Sequence, residues 1–225
     1  MIRLGVLASG GGTNLQALLD ACAARRIDAE VALVVSNLPG AGALERAARA
    51  GVDSACLPSK GVADRAAYDE AVLARLREAR VDLVCLAGYM RLVTPAFLRA
   101  FGPSLGSRGC PRVVNIHPAL LPAFPGLHGP RQALAAGVKV SGCTVHFVDE
   151  GTDTGPVIVQ AAVPVLDGDS EAALAARILE QEHRLYPQAV QWIAEGRLSL
   201  EGRQVRLDGA RPPSERLRSP SIELV

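Results

Sequence analysis

The fold is decided at the start of the chain, where residues Ile2–Asn14 have the sequence IRLGVLASGGGTN. The apolar run Ile2–Ala8 leads directly into consecutive glycines and then into a helical pattern that extends to Arg25. A buried strand, a glycine turn and a helix in this order are typical of α/β folds with a parallel sheet. We therefore expect the chain to start inside its fold, without a signal peptide.

Apolar runs and helical patterns then alternate along the first half of the chain. The apolar runs predict strands at Ile2–Ala8, Val31–Ser36, Ser54–Leu57, Asp82–Ala87 and Val113–Ile116. Helical spacing predicts helices at Asn14–Arg25, Gly42–Ala50, Asp64–Ala79 and Thr94–Phe101. Thr13 with Gln16 has the pattern of a capping box, and Thr94 is an expected N-cap before Pro95. The predicted fold class is α/β, a Rossmann-like and mostly parallel sheet flanked by helices.

The pattern changes after Ile116. A proline-rich loop at 117–130 precedes a short helix, Arg131–Ala136, and two alternating strands, Val138–Val148 and Val157–Leu166. Their alternation predicts a half-exposed strand pair.

The last part of the chain is expected to be helical and then irregular. A long amphipathic helix begins near Ser170, with an expected bend at Pro187. A final hairpin is predicted at Leu198–Leu207, and the Pro, Arg and Ser residues from Ala210 onward predict a mobile tail.

Composition excludes several classes of partner. The 225 residues include 24 Lys and Arg and 23 Asp and Glu, a net charge of +1. This balance provides no field that would attract nucleic acid or an anionic membrane, and no apolar run reaches the ~18 residues of a membrane span. Five scattered cysteines indicate reduced thiols in a cytoplasmic protein.

The glycine loop is a candidate phosphate site. The backbone N–H groups of Gly11, Gly12, Thr13 and Asn14 lie next to the positive end of a helix, an arrangement that suits an anion. The alternative is a tight turn that needs glycine for a positive φ. Leu15 breaks the dinucleotide pattern, and the acidic residue expected at the end of the second strand is missing. A monophosphate therefore fits better.

Asn115 and His117 are candidate catalytic residues. They lie two positions apart on a strand that Pro118 ends, so both side chains point to one face at the carboxyl end of the sheet. An amide donor and an imidazole suit a carbonyl carbon under attack, although a structural polar pair would give the same pattern. Asp153 lies in the loop between the two late strands, from which its carboxylate could reach His117 and raise the pKa of the imidazole.

Other chemistries fit less well. The four histidines have no metal-site spacing, and a serine-hydrolase elbow is missing. We therefore expect no metal.

With these residues identified, the chain resembles the glycinamide ribonucleotide formyltransferase family. The resemblance extends in order from residue 2 to about residue 200, which makes it highly specific. The matching landmarks are Ser9–Leu15, Leu86–Arg91, Asn115–Pro122, Phe124–His128 and Asp153–Pro156.

The resemblance implies a single formyltransferase domain over residues 1–200, with a phosphate-binding N-terminal half and a catalytic and folate-binding C-terminal half. It implies formyl transfer from 10-formyltetrahydrofolate to the amine of 5-phosphoribosylglycinamide, by a monomer or homodimer. Asn115 and His117 would stabilise the oxyanion, and Asp153 would relay protons through water.

The resemblance also implies a folate pocket and a ribonucleotide contact. The pocket would use Leu86, Tyr89, Met90, Arg91, Leu92, Val148 and Asp149, together with Asn115 and Asp153. Plain packing would also explain the leucines, whereas Arg91 can stack on a planar ligand. Glu182 faces inward on the last helix, where it would contact the ribonucleotide or form an internal salt bridge.

The chain departs from some relatives at Leu179 and Pro130, where they carry polar residues, and Ser104–Pro111 has the character of an insertion. Rival functions are a formyltetrahydrofolate hydrolase, a methionyl-tRNA or sugar-amine formyltransferase, and a silent binding module. The formyltetrahydrofolate hydrolases and the methionyl-tRNA formyltransferases typically carry extra domains.

Overall fold

A computed structural model describes residues 1–62, 64–103 and 108–210 of the chain. Strands and helices alternate along it. In chain order they are β1 (Ile2–Ala8), α1 (Thr13–Ala23), β2 (Ala29–Ser36), α2 (Gly42–Arg49), β3 (Ser54–Cys56), α3 (Arg65–Glu78), β4 (Leu83–Leu86), α4 (Pro95–Ala100), β5 (Val113–His117), α5 (Gly129–Ala135), β6 (Val140–Phe147), β7 (Val157–Pro164), α6 (Glu171–Ala194), β8 (Leu198–Glu201) and β9 (Gln204–Leu207).

A seven-stranded sheet with the order β3-β2-β1-β4-β5-β6-β7 forms the centre, and β8 and β9 pair separately as the expected hairpin. The pairs from β3 through β5 are parallel, whereas β6 is antiparallel to both β5 and β7. The strand order reverses between β1 and β4, and ligands bind at such a point in open α/β sheets. The predicted α/β class is confirmed.

Helices cover both faces of this sheet because successive strand residues point in opposite directions. On β1, Leu4 and Val6 pack with buried side chains of α1 and α6. Leu7 on the same strand packs in a second cluster with buried side chains of α3 and α4. The burial of alternate residues on both faces explains why the first strand is a nearly continuous apolar run.

The predicted half-exposed pair is wrong for β6. This strand is buried from Ser141 to Phe147, whereas β7 keeps exposed positions, as expected. β6 lies between two strands, and the loop after β5 covers it: the N–H of Leu121 donates to Thr144 Oγ1 over 3.0 Å. The Thr144 hydroxyl in turn donates to the carbonyl of Ala119 over 2.6 Å. The alternation of side chains in the sequence did not reveal this cover.

The predicted caps at the starts of two helices have different outcomes in the structure. The Thr94 side chain accepts a hydrogen bond from the N–H of Phe97, so the predicted N-cap is confirmed. The predicted capping box is wrong, because Gly12 occupies the N-cap position of α1 in the left-handed conformation and no described side chain caps the helix. Thr13 therefore lies inside the first turn.

The remaining expectations concern the end of the chain and the insertion. Helix α6 runs unbroken through Pro187. The predicted tail lies outside the described residues from position 211 onward, and so do positions 104–107 of the insertion. Within the described ranges, every helix is too short or too polar to cross a membrane.

Tyr186 anchors α6 to the centre of the sheet. Its fully buried hydroxyl donates to the carbonyl of Leu86 over 2.8 Å and lies 3.2 Å from the carbonyl of Val114.

We expect Tyr186→Phe to lower the free energy of unfolding by about 1–3 kcal/mol, because a buried carbonyl loses its donor. Urea denaturation measures this loss. Ser54→Ala, at an exposed hydroxyl on β3, is the control, and equal midpoints for both variants would contradict the expectation.

Candidate active site

The candidate site is built on the carboxyl end of β5. Asn115 and His117 occupy alternate positions of this strand, and the antiparallel neighbour β6 places His146 directly opposite Asn115. The pairing of β5 with β4 aligns Asn115 with Leu86, at the end of that strand. Three neighbouring strands thus deliver polar and apolar groups to one edge of the sheet.

The loop between β6 and β7 delivers the third predicted residue, Asp153. Its backbone is held in the left-handed conformation, with φ of 54°. A Cβ at Gly151 would lie 2.0 Å from Thr154 Oγ1, and one at Gly155 would lie 1.7 Å from the carbonyl oxygen of Phe147. Asp149 closes the turn by accepting from the N–H of Gly151 and from the Thr154 hydroxyl. Packing therefore fixes the direction of the Asp153 side chain.

Asp153 meets both predicted partners. Its Oδ2 lies 3.3 Å from His117 Nδ1 and accepts from the N–H of Gly126 over 2.7 Å. Its Oδ1 lies 3.5 Å from the Asn115 amide nitrogen. The structure thus brings together an amide, an imidazole and a carboxylate that are well separated along the chain.

His146 belongs to the same cluster and was missed by the sequence reasoning. Its Nδ1 lies 2.8 Å from the carbonyl oxygen of Phe147, which can only accept, so Nδ1 carries the proton. Nε2 is then free to accept from the Asn115 amide, 3.1 Å away. The amide nitrogen is therefore held between His146 and Asp153. The signal that could have revealed His146 is the β5–β6 register.

His117 is enclosed more tightly than expected. Its ring is only 4% exposed, with Nε2 located 2.9 Å from the carbonyl oxygen of Phe124 and Nδ1 facing Asp153. Both ring nitrogens therefore face acceptors. In this arrangement Nδ1 of the imidazole contacts Asp153. Nε2 can contact a bound ligand only when the Phe124 carbonyl moves aside.

The direction of the His117 pKa differs from the expectation. Burial lowers the pKa of His117, and this effect exceeds the upward contributions of the Phe124 carbonyl and of Asp153. The expected raised pKa is therefore wrong in its net direction, although the contribution of Asp153 itself has the expected sign. For Asp153, burial raises the pKa, but the interactions with the His146 and His117 imidazoles and the hydrogen bond from the Gly126 N–H bring it below its ordinary value.

A cavity opens beside this cluster. Asn115, His146 and Asp153 line it, whereas His117 does not. Of the nine predicted folate residues, eight line the cavity and Met90 does not. Besides Asn115 and Asp153, the eight are Leu86, Tyr89, Arg91, Leu92, Val148 and Asp149. Val93, Glu150 and Gly151 complete the wall.

Arg91 holds an unusual position in this wall. Its guanidinium lies 4.1 Å from the centre of the Tyr68 ring, and its Nε is buried without a hydrogen-bond partner among the described residues. An unsatisfied buried donor is costly unless a ligand completes it. This favours ligand binding over plain packing at this position.

The glycine loop lies at the end of β1. Gly12 is required by packing, because a Cβ there would lie 2.7 Å from Ala43 Cα. A Cβ at Gly10 or Gly11 would meet nothing within 4 Å among the described residues. Since no described side chain caps α1, the N–H groups of its first turn remain available on that open side. Gly12 thus fits the turn interpretation, whereas Gly10 and Gly11 leave room for an anion.

Glu182 lies next to this loop. Its Oε2 accepts from the Asn14 amide over 2.7 Å, and burial raises the pKa of Glu182 despite this hydrogen bond. The Asn14 amide oxygen is buried without a partner among the described residues. The expected alternative, an internal salt bridge, is replaced by this neutral partner.

Comparison with known proteins identifies similar formyltransferases. The sequence model of the formyl transferase family matches residues 2–190. Phosphoribosylglycinamide formyltransferase from Escherichia coli is 44% identical over 210 residues, which cover 93% of this chain and 95% of that protein. The crystal structure of glycinamide ribonucleotide transformylase 1 from Symbiobacterium toebii superposes with a TM-score of 0.87 at 57% identity, covering 92% of this chain and 94% of that one.

A longer protein also matches. The trifunctional purine biosynthetic protein adenosine-3 from Drosophila melanogaster is 52% identical over 196 residues, which cover 86% of this chain. The chain spans only 14% of the length of that protein.

The contact between Asp153 and His117 can be tested without any ligand. Because the carboxylate raises the pKa of the imidazole while burial lowers it, Asp153→Asn should lower the pKa of His117 further. NMR titration of the His117 ring measures the shift. Asp167→Asn, on a largely exposed side chain, is the control and should leave the titration unchanged. An unchanged or raised pKa in Asp153→Asn would show that the two groups do not interact.

Proposed function

The chain belongs to the formyl transferase family, and we propose that it transfers the formyl group of 10-formyltetrahydrofolate to the amine of 5-phosphoribosylglycinamide. The products are N-formylglycinamide ribonucleotide and tetrahydrofolate, in de novo purine biosynthesis. The observation that carries the proposal is the placement of Asp153 within 3.5 Å of both Asn115 and His117, at the edge of a cavity.

The cavity beside Asn115 suits the folate donor. Apolar side chains of Leu86 and Leu92 and the aromatic ring of Tyr89 provide its walls, and Arg91 brings an unpaired donor. Such a combination of apolar walls and a few polar groups is typical of sites for planar ligands. We place the pteridine in this cavity, with the formyl group towards Asn115 and Asp153.

The glycine loop suits the phosphate of the acceptor. First-turn N–H groups of α1 at Thr13 and Asn14, next to the open side of Gly11, can hold a dianion at the positive end of the helix. Glu182 and the Asn14 amide oxygen, which has no partner among the described residues, lie next to this loop and can accept from the ribose hydroxyls. The amine then points at the formyl carbon.

The chemistry follows from these positions. The amine nitrogen attacks the formyl carbon, a C–N bond forms, and the carbonyl oxygen becomes an oxyanion. The Asn115 amide can donate to this oxyanion with the proton that makes the long, 3.5 Å contact with Asp153 in the structure. The new ammonium loses a proton to Asp153 through water. The bond between the carbon and N10 of the folate then breaks, and N10 receives a proton as it leaves.

His117 supports this step from behind Asp153. When the ring proton is on Nε2, which faces the Phe124 carbonyl, Nδ1 has a free lone pair, so a proton taken up by Asp153 can be shared with Nδ1. When the Phe124 carbonyl moves aside, Nε2 becomes available to the oxyanion. In this way Asp153 and His117 share a proton as the tetrahedral intermediate forms.

The proposal has a defined scope. The enzyme acts on small molecules in the cytoplasm without a metal, as a monomer or a homodimer. Residues 1–200 act as one domain, with the phosphate site in its N-terminal half, the catalytic residues in its C-terminal half and the folate cavity lined by residues of both halves.

Turnover with and without the amine tests the proposal. Tetrahydrofolate formation should require 5-phosphoribosylglycinamide, and Asp153→Asn should lower kcat by roughly 10²–10⁴-fold with a much smaller change in substrate binding. Asp167→Asn is the matched control on the surface and should keep full activity. Turnover without the amine would indicate a hydrolase, and no turnover in either case would indicate a binding module. Equal losses of binding and kcat would make Asp153 a structural residue.

A further inference from the structure

The hydroxyl of Ser9 links the two loops that receive the substrates. Ser9 follows β1, begins the glycine loop and is only 6% exposed. Its backbone N–H donates to the carbonyl of Gly88 over 3.0 Å. Its hydroxyl oxygen accepts from the N–H of Met90 over 2.8 Å. The start of the phosphate loop is therefore bonded twice to the segment that follows β4.

Asn37 sets the direction of this hydroxyl. The Ser9 hydroxyl donates its only proton to Asn37 Oδ1, 2.5 Å away, at the end of β2. Asn37 is itself buried, and its amide nitrogen donates to Ser59 Oγ over 3.2 Å. Because the proton is committed to Asn37, the oxygen lone pairs face the Met90 N–H.

The segment held by Ser9 forms one wall of the cavity. Tyr89, Arg91 and Leu92 flank Met90 and line the cavity, whereas the Met90 side chain is exposed. The role of Met90 here is therefore its backbone N–H. Ser9 thus lies between the N–H groups proposed for the phosphate and the wall proposed for the folate.

We infer that Ser9 is a positioning residue that sets the distance between the acceptor loop and the donor loop. The inference rests on the proposed function, because it concerns the approach of the amine to the formyl carbon. Reacting atoms need to come within roughly 3–3.5 Å, and a displacement of ~1 Å can reduce the rate by about 10²-fold. The hydrogen bond from the Met90 N–H to the Ser9 hydroxyl, which Asn37 orients, holds the loops against such a displacement.

Separate measurement of binding and turnover distinguishes this role from a purely structural one. In Ser9→Ala, each substrate alone still finds its own loop, so the Kd of each should change by less than about three-fold. The kcat should fall by about ten-fold or more, because the amine and the formyl carbon are no longer held in register. A purely structural serine would lower the unfolding temperature and leave the kcat of the folded enzyme unchanged.

Two further variants complete the experiment. Ser59→Ala removes only the outer partner of Asn37 and should keep the wild-type kcat. Asn37→Ala frees the Ser9 hydroxyl to rotate and should lower kcat in the same direction as Ser9→Ala, which also covers the case in which Ser9→Ala does not fold.

The outcomes separate the two claims. Wild-type kcat in Ser9→Ala, or in Asn37→Ala where the first variant does not fold, would overturn the inference alone. A wild-type chain that forms no tetrahydrofolate with the amine would overturn the proposed function and this inference together.

Discussion

The site depends on one backbone constraint, the left-handed conformation of Asp153. A residue with a Cβ adopts this conformation at a cost on the order of 1–3 kcal/mol, which the surrounding structure has to offset. Here Gly151 and Gly155 leave no room for side chains, so close packing against Thr154 and Phe147 holds the β6–β7 loop on both sides of Asp153. The carboxylate is therefore aimed at Asn115 and His117 before any ligand arrives.

The sheet supplies the other half of this geometry. Parallel strands β1, β4 and β5 end at one edge, where the glycine loop, the cavity wall and the Asn115–His117 pair follow each other. Strand β6 runs antiparallel to β5, places His146 opposite Asn115 and leads into the loop that carries Asp153. The two proposed substrate sites and the proposed proton-transfer group therefore lie around the topological switch point between β1 and β4.

Local patterns in the sequence predicted much of this arrangement. The apolar run before the glycines predicted β1, and the two-residue spacing of Asn115 and His117 predicted their common face. What the sequence did not reveal depends on contacts between distant segments. The burial of β6 follows from a loop that covers it, and the position of His146 follows from strand register.

The errors have physical reasons as well. The capping box failed because Gly12 takes the N-cap position, which leaves N–H groups free for an anion. The predicted direction of the His117 pKa shift was wrong because burial lowers this pKa more than the nearby carboxylate raises it. The degree of burial cannot be read from the local sequence. The central claim is that Asn115 and Asp153 face one reactive carbon, with His117 in contact with Asp153 from behind. A crystal structure with a folate analogue and the ribonucleotide bound tests it most directly. The account predicts the Asn115 amide at ~3 Å from the oxygen of the reacting carbon, with Asp153 still facing both partners. A bound complex with the Asp153 carboxylate turned away from that carbon would contradict it.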